Sequence, residues 1–449
     1  MVTRLGLAEK KGYAILGVYS SLVYGLQIFG GLIADRFLGF RKSIILGSVL
    51  MILGHILLAL PISGGFFPGL SFIAWGSGFF SGSDTAIAGT LYPRNEQFRK
   101  DSGFILFYMI TNIGMALGGL ICGYIGEKLS WHWGFGVAGI FMVLGLFNFI
   151  WGIPNDLGKP PNPELINKKI LGIRGENYVY LGSVSMVILT VLLFIYPGLM
   201  DGIIYPLIVV SFLYVLFIAY KSAVFIRYKL IALLLLFFVY AFWLALYEQS
   251  TGALNLFILR NVNLNIGSWK IPGLAINNFI PSFLLILLTP LALLLWKLLL
   301  PNKKKIHSVV KLIIGIVATG LFFGVLWIGS LSNSSSGLVP IGVLILGYFF
   351  MEIGEICIAP TIITSTYNLS PVSYLGTMMG IAAISGALGE FLAGKIGSTM
   401  AIPKNIINPA QSLPYYTHTF LLLAIFSFIF ALLYIALFPT LKRWMREIN

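Results

Sequence analysis

Apolar runs of about twenty residues follow one another along the whole chain, separated by short polar connections, and within each run the apolar character is continuous. A run of that length is what a helix needs to cross the hydrocarbon core of a bilayer. The pattern predicts helices at about 12–35, 43–62, 67–91, 103–125, 131–152, 177–197, 201–224, 229–259, 272–299, 309–331, 337–366, 374–401 and 415–440, or about thirteen spans. A β-barrel is excluded because its strands alternate apolar and polar positions, whereas a helix satisfies its own backbone hydrogen bonds in lipid. The expected class is an all-α integral membrane protein.

Charge changes the picture by giving the spans a direction. RFLGFRK, PRNEQFRK, the polar stretch from Pro154 to Glu176, PNKKKIHSVVK and the tail LKRWMRE are basic, while the alternate loops near Ser63 and from Tyr196 to Asp201 carry little positive charge. Basic connections face the cytoplasm, which predicts a cytoplasmic C-terminus. The same count places the basic stretch MVTRLGLAEKKG outside, so a further helix upstream of Met1 is expected. Only 10% of the 449 residues are charged and the mean hydropathy is +0.94, which leaves no room for a soluble alternative. The net charge of +14 sits in these connections as a topology signal, so no nucleic-acid partner is expected. Cys122 and Cys357 lie inside apolar runs and are too few for a disulfide framework. His55, His132, His307 and His418 form no metal-ligand spacing, and no cofactor motif, phosphate loop or hydrolytic triad is present. No metal, cofactor or enzymatic activity is expected.

The polar linker divides the chain into an N-terminal bundle (1–152), a cytoplasmic linker (153–176), two additional spans (177–228) and a C-terminal bundle (229–449). Transporters built from paired bundles bind substrate near the midplane and alternate access by rocking one half against the other. The stretch GGLIADRFLGFRK joins two apolar runs through a glycine-rich, charged turn, in which Gly30 and Gly31 permit close approach while Asp35, Arg36, Arg41 and Lys42 stay at the headgroups.

That stretch resembles the signature after helix two of the proton-dependent oligopeptide transporter family, within the major facilitator superfamily. FYMITNIGMALGG (Phe107 to Gly119) resembles the second signature, in family helix five, and WHWGFG resembles the start of helix six. FWLALYEQSTGALNLF resembles helix seven, MEIGEICIAP a segment of helix ten, and SYLGTMMG the turn into helix eleven, so the likeness covers essentially the whole chain. It implies the major facilitator fold, two helical bundles with two extra helices between them as in bacterial members.

Ionisable groups within a membrane span are costly and usually face the bundle interior or a hydrated cavity. The interior acids are Asp84, Glu248, Glu352, Glu355 and Glu390. By resemblance Glu248 is the proton-linked acid of helix seven, Glu355 the carboxylate that receives a peptide's amino end, Asn112 an amide that bonds the peptide backbone, and Tyr24 a pocket tyrosine. Each has a structural alternative: a hydrogen bond inside its own bundle for Glu248, Asn112 and Tyr24, and a water-exposed rim position for the acids of helix ten. Glu352 stands three residues before Glu355 on the same helical face, where the two can share a proton or a cation. Glu390 has Lys395 five residues on as an intrahelical partner, and Asp84, flanked by small residues, either faces a cavity or packs closely.

The chain also departs from the family. The first helix, with its Glu-x-x-Glu-Arg motif, has no counterpart, and Ser81 stands at the position of the helix-four lysine. Gly82-Ser83 replaces a Pro-Asn, Ile280-Pro281 an Asn-Pro, and Ala382 a tryptophan. The resemblance implies proton-coupled symport of di- and tripeptides by a monomer in a bacterial inner membrane. The altered positions keep two other readings open, a proton-independent facilitator or exchanger of another small polar solute, and a non-transporting relative.

Overall fold

The computed structural model describes residues 7–62, 64–90, 97–159, 169–170, 172–266, 268–299, 307–371, 374–403, 406 and 408–445. The basic stretches at 1–6, 91–96, 301–306 and 446–449, the middle of the linker at 160–168, Ser373 and Lys404 lie outside the described residues, as does the side chain of Asp35. The described helices are α1 (Glu9–Ile33), α2 (Gly39–Ala59), α3 (Phe66–Thr90), α4 (Gln97–Lys128), α5 (Trp131–Gly152), α6 (Gly175–Ile195), α7 (Asp201–Lys221), α8 (Val224–Tyr247), α9 (Ala253–Asn261), α10 (Gly273–Leu299), α11 (Ser308–Ser332), α12 (Ile341–Leu369), α13 (Leu375–Thr399) and α14 (Pro409–Trp444). Ten stretches among the described residues are long and apolar enough to cross a membrane. The strands are two-residue pieces in connections: β1 (Lys169–Ile170) with β2 (Ile173–Arg174) and β4 (Asn265–Ile266) with β5 (Trp269–Lys270), both antiparallel, and β3 (Val262–Asn263) with β6 (Val339–Pro340), parallel.

Helix ends follow from local chemistry. Ser130 caps α5 by accepting the His132 N–H, and Asn408 caps α14 by accepting the Ala410 N–H at 2.9 Å, with Pro409 at the first helical position. His307, at the polar head of α11, accepts the Val309 N–H through Nδ1; burial and the neighbouring Lys442 lower its pKa and so keep the ring neutral for this cap. The eighth expected span, 229–259, is not one helix. It is interrupted between Tyr247 and Ala253, where the backbone passes through a run of turns.

The chain forms two compact units, Val18–Asp201 and Met1–Gly17 with Gly202–Asn449, so the boundary falls within α1 and the two helices after the linker are divided between the units. In the unit Val18–Asp201, α2 and α3 run in close contact because glycines face backbone: a methyl on Gly47 would stand 2.6 Å from the Gly76 carbonyl, and one on Gly54 would stand 2.7 Å from the Gly69 carbonyl. α6 is fastened to α3 by the Trp75 indole N–H, which donates to Thr190 Oγ1 at 2.8 Å.

The turn after α1 has a definite backbone form. Ala34–Leu38 is one π-helical turn closed by Gly39 at φ 75°, a left-handed value that suits glycine. Gly30 and Arg41 are buried, Gly31 is half-buried and Arg36 is exposed. Arg41 is turned against protein at this end of the helices. Its guanidinium donates to the carbonyls of Ile153 (2.8 Å), Ile150 (3.0 Å) and Pro154 (3.3 Å), satisfying the C-terminal end of α5. A helix C-terminus attracts positive charge and leaves carbonyls without partners, which is why an arginine suits this place. Lys42 pairs with Glu176 in the first turn of α6. Arg41→Ala is expected to lower stability by about 2 kcal/mol, since buried carbonyls lose a charged donor, and thermal unfolding in detergent measures it; an unchanged melting temperature would refute the capping role.

In the other unit the core is aromatic, with Phe257, Phe322, Phe323, Tyr348, Tyr416 and Phe420 fully buried. Asn261 ties connections together beneath it: its amide donates to the Gly337 and Pro409 carbonyls at 2.9 and 2.8 Å and accepts from Ser412 Oγ at 3.0 Å. The first residues of α1 join this unit. Glu9 is buried, pairs with Arg260 at 2.5 Å and accepts the Ile402 N–H at 2.9 Å. Gly17 faces Gly394 so closely that a methyl on Gly17 would stand 2.9 Å from the Gly394 Cα. Outward-facing positions remain apolar, as at Val210, Leu213 and Leu432 here and at Ile188 in the unit Val18–Asp201, which suits a lipid surround.

Candidate functional site

The interruption between α8 and α9 puts a carboxyl where helical hydrogen bonding stops. Glu248 ends α8, and Thr251 Oγ1 donates to its Oε2 at 2.9 Å and to its carbonyl at 3.0 Å. Broken helices in transporters expose such backbone next to bound ions, and the C-terminal end of a helix attracts positive charge. The break is braced on both sides. Gln249 donates to the carbonyls of Ala245 (2.9 Å) and Ala393 (3.0 Å), and Asn277 donates to the Ser250 carbonyl (2.6 Å) and to Asn255 Oδ1 (2.7 Å). Tyr348 donates its hydroxyl to Asn277 Oδ1.

The structure brings Glu248, Glu352 and Glu355 into one cluster. Tyr247, the residue before Glu248, donates its hydroxyl to Glu355 Oε2 at 2.6 Å, and so links the end of α8 to the middle of α12. Glu352 and Glu355 approach within hydrogen-bonding reach of each other on α12. Glu352 is 1% exposed, which removes the rim alternative for it. Tyr240 on α8 is close enough to feel Glu248, Glu355 and Glu390. Glu390 is itself buried in α13, and the ammonium of Lys395 lies 5.1 Å from the Phe391 ring centre.

The other candidates belong to the unit Val18–Asp201. Asn112 is buried in α4, and Tyr24 is half-buried in α1. Asp84 lines a cavity of about 480 Å³ whose other walls include Ser48, Phe80, Phe107, Asn148 and Phe149. Ser81 lies 3.4 Å from Ser77 across one helical turn.

Sequence reasoning missed Tyr247, although its place directly before Glu248 was a usable signal. It also missed the Glu9–Arg260 pair, whose members are 251 residues apart and carry no local pattern.

The chain matches the model described as POT family over residues 41–413. It is 29% identical over 413 residues to the peptide transporter YePEPT of Yersinia enterocolitica subsp. palearctica serotype O:3 (strain YE-P4), covering 88% of this chain and 80% of that protein. It is 28% identical over 456 residues to dipeptide and tripeptide permease A of Cronobacter turicensis, covering 100% and 88%. Among solved structures, a mutant of the peptide transporter POT in complex with alafosfalin superposes with a TM-score of 0.83 at 25% identity, covering 100% of this chain and 90% of that one. The tetrameric PepTSo2 superposes with a TM-score of 0.84 at 22% identity, covering 99% and 93%, a likeness of fold.

Proposed function

Because this chain belongs to the POT family, whose model it matches over residues 41–413, we propose that it is a secondary active transporter carrying di- and tripeptides together with protons by alternating access. That match is the observation that carries the reading, and the relatives' names, a peptide transporter and a dipeptide and tripeptide permease, supply the substrate class. The fold is the helical transporter fold of the major facilitator superfamily, and the chain is not an enzyme.

In this proposal Glu248 carries the coupling proton and Glu355 receives the peptide's ammonium. A membrane-embedded carboxylate suits that ammonium because both charges leave water together. Tyr247 holds Glu355 in place from the neighbouring helix. Asn112 supplies an amide that both donates and accepts toward the peptide backbone, and Tyr24 supplies a hydroxyl. Residues 1–152 and 229–449 are read as the two bundles, with 177–228 as the inserted helical pair. The basic connections support a cytoplasmic C-terminus, and the bacterial relatives support an inner-membrane location, with a monomer as the transporting unit.

The test is uptake of labelled dialanine by proteoliposomes containing the full chain. An inward proton gradient is expected to raise accumulation about tenfold over vesicles without a gradient, since one pH unit is worth about 1.4 kcal/mol per coupled proton. Ser81 at the position of the family lysine favours a second reading, an exchanger that needs no gradient. Counterflow that persists while a protonophore leaves net uptake unchanged would select it over symport.

A further inference from the structure

Glu352 has no role in the proposal above, yet its surroundings are specific. It is 1% exposed, and neither of its carboxyl oxygens meets a hydrogen-bond donor among the described residues. Two hydroxyls stand near it, on Tyr247 of α8 and on Tyr348 one turn earlier on α12. Both are committed elsewhere: Tyr247 donates to Glu355, and Tyr348 donates to Asn277 Oδ1. The Asn277 amide group is already used by Ser250 and Asn255. What remains within reach is the Glu355 carboxyl, a charged group that acts on Glu352.

Two carboxylates that face each other are acceptors with no donor between them, and they make a hydrogen bond only when one carries a proton. A buried pair of bare carboxylates would lose hydration without gaining any partner, whereas a protonated and an ionised carboxyl make a short, charge-assisted bond. Tyr247 already donates to Glu355 Oε2, so the stabilised anion is Glu355 and the proton belongs on Glu352. The titratable groups that face the pair are Tyr247 and Tyr240 from α8, with Glu248 beyond Tyr247, and Tyr348 from α12 itself; α10 contributes Asn277, which does not titrate.

We propose that Glu352 is a positioning residue for the substrate site: it stays protonated, donates a hydrogen bond to Glu355, and holds the pair at a single negative charge, matched to one ammonium group. For the identity of that ammonium the proposal rests on the peptide-transport reading. With both carboxyls ionised the pair would bind divalent amines or metal cations as readily, so the retained proton sets the charge that is recognised.

Glutamine mimics a protonated glutamate because its amide N–H donates in the same place, which makes E352Q the deciding variant. Infrared difference spectroscopy on the purified full chain is expected to show a protonated-carboxyl signal that E352Q removes and that E355Q shifts, since the acceptor then becomes a neutral amide. In proteoliposomes E352Q is expected to keep the dialanine KM within about twofold, while E352L raises it about fivefold through loss of the hydrogen bond to a charged partner. A protonated-carboxyl signal that survives unchanged in E352Q would overturn the proposal. So would an E352Q protein that is folded but loses dialanine binding as fully as E355Q, because Glu352 would then be acting as an anion. Absence of dialanine uptake by the wild type would instead count against the transport reading, and the infrared result would still decide the carboxyl pair.

Discussion

Replacing Glu248 by glutamine is expected to abolish proton-driven accumulation of dipeptide while leaving gradient-free counterflow close to that of the wild type. Thr251 donates both to the Glu248 carboxyl and to the Glu248 backbone carbonyl, and a glutamine amide oxygen at residue 248 can still accept the first bond while the second is untouched. The break between α8 and α9 is also held by Gln249 and Asn277, which the substitution does not touch. The variant should therefore fold and bind. What glutamine cannot do is take up and release a proton at any working pH. A loss of at least about tenfold in gradient-driven accumulation corresponds to about 1.4 kcal/mol of coupling free energy, with counterflow as the internal control. Accumulation at the wild-type level would show that the coupling proton travels elsewhere, and the remaining acids of the cluster would be the next residues to replace.

Gly30→Ala and Gly31→Ala, neighbours in one motif, are expected to differ as sharply as two alanine substitutions can. A methyl group on Gly30 would fall inside the Gly78 carbonyl and 2.8 Å from the Phe79 nitrogen. Those obstacles are backbone, so α1 and α3 would have to move apart along their contact, at a cost of about 3 kcal/mol for overpacking in a close-packed interior. A methyl on Gly31 meets nothing within 4 Å, and alanine suits a helix better than glycine by about 0.5–1 kcal/mol. Fluorescence-detected size exclusion and thermal unfolding after detergent extraction should show little monodisperse Gly30→Ala protein, and Gly31→Ala protein at least as stable as the wild type. A Gly30→Ala protein melting with the wild type would refute the close contact.

The motif containing these glycines illustrates how far local sequence reaches. That a glycine pair, a turn and basic residues occur together there is plain from the residues, and so is their character as a family signature. Which glycine touches a neighbouring helix is not, because both lie in the same helical run and only the position of α3 distinguishes them. That Arg41 is basic and follows the turn is likewise local, but its partners, the carbonyls ending α5 some 110 residues later, are not. The eighth span was read as continuous because its apolar run is continuous. The break depends on bonds from Gln249 to α13 and from Asn277 on α10, which no window on residues 229–259 contains.

Read alone, the sequence settles the class of this protein and the approximate place of most of its helices, and it points to interior acids such as Glu352 and Glu390, though not to Glu9. These are local quantities, because a helix in lipid must satisfy its backbone within one segment and an ionisable group in an apolar run is conspicuous wherever it sits. It also makes Glu352 and Glu355 visible as a pair, since a spacing of three residues puts them on one helical face. Tertiary structure alone decides that Tyr247 reaches Glu355 across 108 residues, that Tyr348 is spent on Asn277, and that Glu9 closes on Arg260. Those contacts depend on how helices far apart in the chain pack side by side, and it is they that leave Glu352 with a carboxyl as its partner.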